Sequence, residues 1–270
     1  MPIITISRGT HSGGSRLAEV LAERLGYGLV SREVLAQAAA SHGVSEAKLA
    51  QAIETPPGFW DRFRNERQRY LVLAQAALLC AVRRDDVVYH GHAGHLLLKG
   101  LDNLLRVRIV APIEVRQAAV VEATGMSPEE AARFIFRQDE ARIRWTRFLY
   151  NVDWADPLLY DLVINIEKVG LGDACGLIES LVRTPRFQTR PEHTKALADL
   201  CLATSVRAAL AISPRTQIVD VEVTADGSAV TLKGRVPSAE VGRSAVEVAR
   251  GVEGVASVEA SELGDWSVPD

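Results

Sequence analysis

The stretch that most limits what this chain can fold into is IITISRGTHSGGSRLAEVLAERLG, residues 3–26. Ile3–Ser7 is a short, β-branched apolar run bounded by a glycine-rich loop, as expected of a buried parallel strand. Leu17, Leu21 and Leu25 then recur at helical spacing with Ala18 and Ala22 beside them, and Gly26 supplies a stop. Between strand and helix lies Gly9-Thr-His-Ser-Gly-Gly-Ser-Arg16. Strand, glycine-rich turn and helix form the first half of a β-α-β unit.

The same alternation continues. Short strands are expected at Val87–His90, Val107–Ala111 and Leu162–Ile166. Helices are expected at Ser31–Ser41, Ser45–Ala52, Tyr70–Arg83, Ile113–Ala123 and Pro128–Arg147. This order implies a mostly parallel α/β sheet with helices on both faces. The pattern changes after about residue 184, where TPRFQTRPEH carries two prolines and mixed charge and reads as a linker. A helix (His193–Ala211), two strands (Gln217–Val223, Ala229–Arg235), a helix (Ser238–Arg250) and a strand near Val255–Ser261 follow. Asp226-Gly227 between the two strands is a hairpin signal. The boundaries are thus 1–184 for the larger domain, 185–191 for the linker and 192–263 for a small α+β domain.

The loop after the first strand sits where nucleotide kinases hold phosphate. The signature G-x-x-x-x-G-K-[ST] would need Lys at position 15 and Ser or Thr at 16, and this chain has Ser15 and Arg16. Backbone N–H groups and the helix dipole favour an anion even without lysine, and Gly13 and Gly14 permit close backbone approach. Arg16 brings positive charge one place late, about 100° further round the helix. The loop alone leaves two readings open, a phosphate cradle of altered chemistry or an ordinary strand-to-helix turn.

A net charge of -3 in 270 residues gives no overall pull toward nucleic acid or an anionic membrane. Cys80, Cys175 and Cys201 are widely spaced and odd in number, which argues against a disulfide framework or a structural zinc site. No signal-peptide pattern opens the chain and no apolar run approaches the roughly 20 residues that span a bilayer. A soluble cytoplasmic protein is expected. His90, His92 and His95 form H-x-H-x-x-H at a strand end, but they lack nearby acidic or cysteine partners, so no metal site is assigned.

The opening segment resembles the start of the cytidylate kinase-like family, a divergent branch of the P-loop nucleoside monophosphate kinases. Ser7, Arg8, Ser12, Gly13, Gly14, Ala18, Leu21, Ala22, Leu25 and Gly26 fit its I-S-R, G-S-G-G-R-E and helix pattern. The likeness extends to about residue 180. Pro56-Pro57-Gly58-Phe59 is similar to the family's P-P-x-F segment, and VVYHGHAGHLLL to V-I-V-G-R-G-A-D-Y-I-L, with His92 in place of an arginine that faces substrate. RVRIVAPIEVR resembles the A-P-L-E-x-R motif ending at Arg116. QDEARIRWTRFLYNVDWADPLLYDLVIN is the most specific match, retaining Asp139, Arg142, Arg147, Asp153-Trp154, Asp156-Pro157 and Tyr160-Asp161.

The resemblance implies a P-loop NTPase-like fold that uses ATP and Mg²⁺ and moves a phosphoryl group to a nucleoside monophosphate such as CMP. It implies that Gly9, Ser12, Gly13, Gly14, Ser15, Arg16 and Arg116 hold the donor nucleotide. Arg8, His92, Asp139 and Asp156 would face the acceptor, and Arg16, Arg142 and Arg147 would act on the transferring group, with Arg144 assisting. Closely spaced arginines suit such chemistry, which is mostly positioning and charge neutralisation. Among acids, the same arginines also read as a solvated helix face. Ser15, His92 and a missing acid on Val87–His92 point instead to a catalytically weakened nucleotide sensor or scaffold.

VDVEVTADGSAVTLKGRVPSAEVGRSAVEVARGVEGVASVEASE resembles the BON domain, through its hairpin, the Val230-Thr-Leu-Lys-Gly234 run and the closing Gly251–Val258 segment. Val252, Val255 and Val258 are core candidates, and Gly254 marks the turn from helix to strand. BON domains are associated with phospholipid surfaces, small ligands or oligomer contacts, without catalytic residues. Arg243 and Arg250 are balanced by Glu240 and Glu247, so a regulatory or assembly module, self-association included, is expected ahead of a membrane tether.

Overall fold

The computed structural model describes residues 2–31, 64–83, 86–91, 93–216 and 220–265. Strands β1 (Ile3–Arg8), β2 (Gly28–Ser31), β3 (Val87–His90), β4 (Leu105–Val110) and β5 (Leu162–Asn165) form a five-stranded sheet in the order β2-β3-β1-β4-β5. Every pairing is parallel. The central strand β1 carries Ile3, Ile4 and Ile6, and its first five residues, Thr5 and Ser7 included, are buried.

Parallel strands need helical crossovers, and these cover the sheet. Helices α1 (Gly14–Leu25) and α6 (Leu171–Val182) join Ile4, Ile6, Val88, Leu105, Val107 and Ile109 in one core. Ile3, Val87 and Tyr89 point to the opposite face, as alternation requires. There they pack with α2 (Arg64–Val82) and with Leu97 of the short helix α3 (Gly94–Leu97). Gly91 and Gly94 make room for the Tyr89 side chain: a Cβ on Gly94 would lie 2.2 Å from its ring and one on Gly91 2.3 Å from its hydroxyl. Helices α4 (Ile113–Thr124) and α5 (Pro128–Tyr150) pack on each other through Val120, Ala131 and Ile135. Ser127 and Glu130 close a capping box at the start of α5, with Pro128 in its first turn.

Helix α7 (Pro191–Ile212) leads to the second sheet: β6 (Asp220–Asp226), β7 (Ala229–Val236), helix α8 (Ala239–Arg250), β8 (Ser257–Glu259) and β9 (Leu263–Asp265). β6 and β7 are antiparallel, and β8 and β9 both pair parallel with β7. Asp226 pairs with Ala229, so the hairpin turn is Gly227-Ser228, one residue later than the Asp-Gly pair suggested, with Gly227 at φ 60. Gly254, at φ 94, turns the chain from α8 toward β8.

Other departures from expectation have local causes. α6 was not foreseen because LGDACGLIESLV carries two glycines, which weaken helix propensity; burial of Ala174, Cys175, Ile178 and Val182 overrides it. β2 replaces the start of the helix expected from Ser31, because Val30 enters the core beside β3. α2 begins at Arg64 rather than Tyr70, and α5 runs on to Tyr150. The remainder of Ser31–Ser41, Ser45–Ala52, the Pro56–Phe59 segment, Asp85, His92 and residues 217–219 lie outside the described residues. No helix among the described residues is long and apolar enough to cross a membrane.

Segment 185–191 is tied down. Phe187 is buried in the core shared by α1 and α6, and the Asn103 side-chain amide donates to the Thr189 hydroxyl at 3.0 Å. Helix α7 serves both sheets. Leu197, Leu200 and Cys201 pack against Ala77–Val82 of α2, and Ala208 and Ile212 against Leu73–Ala76. Ala203, Val206 and Leu210 enter the core of the second sheet.

Candidate functional site

The loop after β1 lies at the carboxyl edge of the parallel sheet, where open α/β folds place their ligands. Ser12 stabilises it by donating its amide and hydroxyl to the Gly9 carbonyl, at 3.2 and 3.0 Å. His11 and Gly13 adopt positive φ, 53 and 80. The first turn of α1 has neither a side-chain cap on Gly13 nor an acidic residue. Its N–H groups are oriented for an anion.

Four side chains from three elements meet on this loop. The Thr10 amide and hydroxyl donate to Asp139 Oδ1 at 3.1 and 2.8 Å. Arg116 donates from Nε to the Thr10 carbonyl at 2.8 Å and forms an ion pair with Asp139 Oδ2. Arg142 donates to the Thr10 hydroxyl at 2.8 Å and to Asp139 Oδ1 at 3.3 Å. Asp139 and Arg142 lie one turn apart on α5, Arg116 is on α4, and all three are partly buried. Burial, and then the positive charges of Arg8, Arg116 and Arg142, hold the His11 imidazole below its ordinary pKa. Three arginines thus stand near the loop although it lacks lysine, two of them paired with Asp139.

The close approaches are matched to glycine. A Cβ on Gly9 would lie 3.2 Å from the Arg116 guanidinium carbon, and one on Gly14 only 2.8 Å from Arg8 Cβ. The uncapped helix start, glycine walls and converging arginines fit a phosphate. They do not fit a protein-held Mg²⁺, because the Asp139 carboxylate is occupied by two arginines and Thr10. Among the described residues no group of three or more His, Cys, Asp or Glu side chains could hold a metal ion.

The other residues named from the sequence are dispersed. Arg16 is exposed and pairs with Glu19 at 3.0 Å on its own helix. Arg147 is exposed, and Arg144 pairs with Glu140 on the surface. The Asp156 carboxylate accepts the Leu158 amide at 2.8 Å and caps a turn of 3-10 helix. Ser15 is half-buried. Thr10 and His11 stand inside the quoted loop but were not singled out; no local pattern marks a threonine whose partner is 129 positions away.

Beneath the loop is a second, buried polar layer. The Trp154 indole donates to Ser7 Oγ at 2.8 Å, Ser7 and Tyr160 hydroxyls are 3.3 Å apart, and Tyr160 donates to the Trp154 carbonyl at 3.0 Å. Arg108, opposite Ser7 across the sheet, also donates to that carbonyl and stacks 4.5 Å from the Trp154 ring. His95 packs on Tyr160 with ring centroids 4.8 Å apart, and neither of its nitrogens has a hydrogen-bond partner among the described residues.

The family model described as the cytidylate kinase-like family matches residues 3–168, and that of the BON domain matches residues 198–263. A cytidylate kinase of Methanoregula boonei is 27% identical over 67% of this chain and 97% of its own length. One from Ignicoccus hospitalis is 32% identical over 63% of this chain and 92% of its own. The crystal structure of an uncharacterised protein from Eubacterium ventriosum has a TM-score of 0.54 at 22% identity, covering 68% of this chain and 99% of that one, which bears on the fold alone. With the parallel sheet, the loop after β1 and the separate mixed sheet, these matches show that the chain belongs to the cytidylate kinase-like family and carries a BON domain at its C-terminal end.

Proposed function

We propose that residues 1–184 form a nucleoside monophosphate kinase that transfers a phosphoryl group from Mg–ATP to CMP or a related monophosphate. Residues 185–191 connect this kinase to a BON domain at 192–263. The observation that carries the reading is the convergence of Arg116, Arg142 and Asp139 on Thr10, inside the glycine-rich loop. The backbone around Gly9, Ser12, Gly13, Gly14 and Ser15, with Arg116, holds donor phosphates. Arg142, on the helix that resembles a lid, leaves Asp139 for the transferring group, whose spread charge it neutralises. Mg²⁺ arrives with the nucleotide as part of the substrate. Arg8, His92 and Asp156 remain acceptor-side candidates. Arg16 and Arg147 reach the reaction only by leaving their present exposed positions.

A second reading is favoured by one observation: with serine at position 15 and Arg16 paired to Glu19, no side-chain cation of α1 faces the loop. That arrangement suits a nucleotide sensor that binds without turnover, its occupancy reported to the BON domain. A coupled assay of ATP consumption over a panel of monophosphates, alongside calorimetry with ATP, separates the two. The kinase reading expects turnover that falls roughly a hundredfold in Arg142→Ala. ATP binding without turnover selects the sensor, and absence of binding discards both.

A further inference from the structure

We propose that Trp154 is a positioning residue for phosphoryl transfer, a latch that fixes the root of α5 to the root of the phosphate loop. The inference rests on the kinase reading. Asp139 and Arg142 reach the loop from within α5, whereas Trp154 lies just beyond its C-terminal end, past Asn151, which caps the helix at φ 51. Ser7 immediately precedes Arg8 and Gly9 on the other side. The same two segments are thus joined twice, by ties of different chemistry.

The outer tie, Thr10–Asp139–Arg116–Arg142, is ionic and partly solvated. A phosphate competes directly for its arginines. The inner tie is buried and built from uncharged side chains, with Arg108 donating to the Trp154 carbonyl from its edge: Ser7, Trp154 and Tyr160 are 3%, 3% and 7% exposed. Tyr160 has one proton, and it goes to the Trp154 carbonyl. The Ser7 hydroxyl therefore accepts from the indole and donates to the Tyr160 oxygen, which closes a ring of three hydrogen bonds. Burial holds the Tyr160 phenol protonated by raising its pKa. Arg108 covers the outside of the ring, stacked on Trp154 and 5.4 Å from Tyr160. Each donor in the ring has its acceptor, so nothing in it is left for a ligand to capture. When a phosphoryl group draws Arg142 away from Asp139, this ring is the point about which α5 keeps its register to the loop.

Trp154→Phe removes the indole donor and keeps a ring over Arg108; Ser7→Ala removes the acceptor. Each is expected to lower kcat about tenfold or more with KM within twofold, since the latch acts on the closed arrangement rather than on capture. The double variant is expected to be no worse than the poorer single one, because both break the same ring. Full kcat in both singles, a loss carried by KM, or multiplying losses in the double variant would overturn the latch. A wild type without turnover sinks the kinase reading on its own. Hydrogen exchange of the intact chain then decides the latch: faster exchange in the last turns of α5 in both variants supports it, and unchanged exchange overturns it.

Discussion

In the five-stranded sheet helices cover both faces, and its central strand is apolar throughout its first residues except for Thr5 and Ser7. The second sheet alternates. Val230, Leu232 and Val236 of β7 are buried while Ala229, Lys233 and Arg235 lie toward solvent, and α7 and α8 fill the one core. The larger sheet is stabilised by its own crossover helices. The smaller one depends on α7, a helix that also packs against α2. A module of this size buries a modest core, and sharing a helix couples its stability to that of its neighbour.

The largest effect is expected from Val206→Asp. Val206 is fully buried on the side of α7 that faces the second sheet, and an unpaired charge there costs more than ~3 kcal/mol. Amide hydrogen exchange is expected to show protection lost through β6–β9 and weakened in α2. Protection lost in the second sheet with α2 untouched would mean that α7 does not couple the two regions.

Acid is expected to act on the larger sheet. Burial, and then Arg106 and Arg108, hold His95 down at about 4 from 6.5. The unfolded chain therefore binds a proton near pH 6.5 that the folded one refuses. Stability contributed by the neutral imidazole is complete above pH 6.5 and is lost as the pH falls toward 4, by ~3 kcal/mol. His95→Phe, which keeps a ring against Tyr160, is expected to flatten the urea midpoint between pH 7 and pH 4.5. An equal acid slope in wild type and variant would assign the loss to other groups.

The smallest effect is expected at Lys195, which pairs with Asp199 on α7 itself and joins that helix to the hairpin of the second sheet through Asp226. Its ammonium is held up at about 12 by these carboxylates, yet the group is solvent-exposed. Lys195→Ala is expected to leave the thermal midpoint within error in high salt. A clear drop would show that this surface pair, and not the buried face of α7, orients the second sheet.

Much of this was legible in order along the chain. The strand-loop-helix opening, the parallel class and the hairpin followed from period, glycine placement and turn chemistry, which depend on neighbouring residues. The site was legible only in part. Arg116, Asp139 and Arg142 stood out through resemblance, and the structure brings them together. Arg16 looked equally placed beside the glycines, but Glu19 holds it on the outer side of α1. Nothing around Trp154 in the chain points to a role, because its partner Ser7 lies 147 positions earlier.

By itself, then, the sequence determined the alternation of strands and helices, the glycine-rich turn between β1 and α1, and the change of pattern beyond residue 184. These are set by local backbone preference and by which face of each element is apolar. Only the tertiary structure decided which arginines face the loop, that α5 is tied to it by one partly solvated ionic contact and one buried hydrogen-bonded ring, and that α7 belongs to two cores. Hydrogen bonds and apolar packing between residues more than a hundred positions apart leave no periodic trace in the chain. They exist only once the sheet has brought its strand ends side by side.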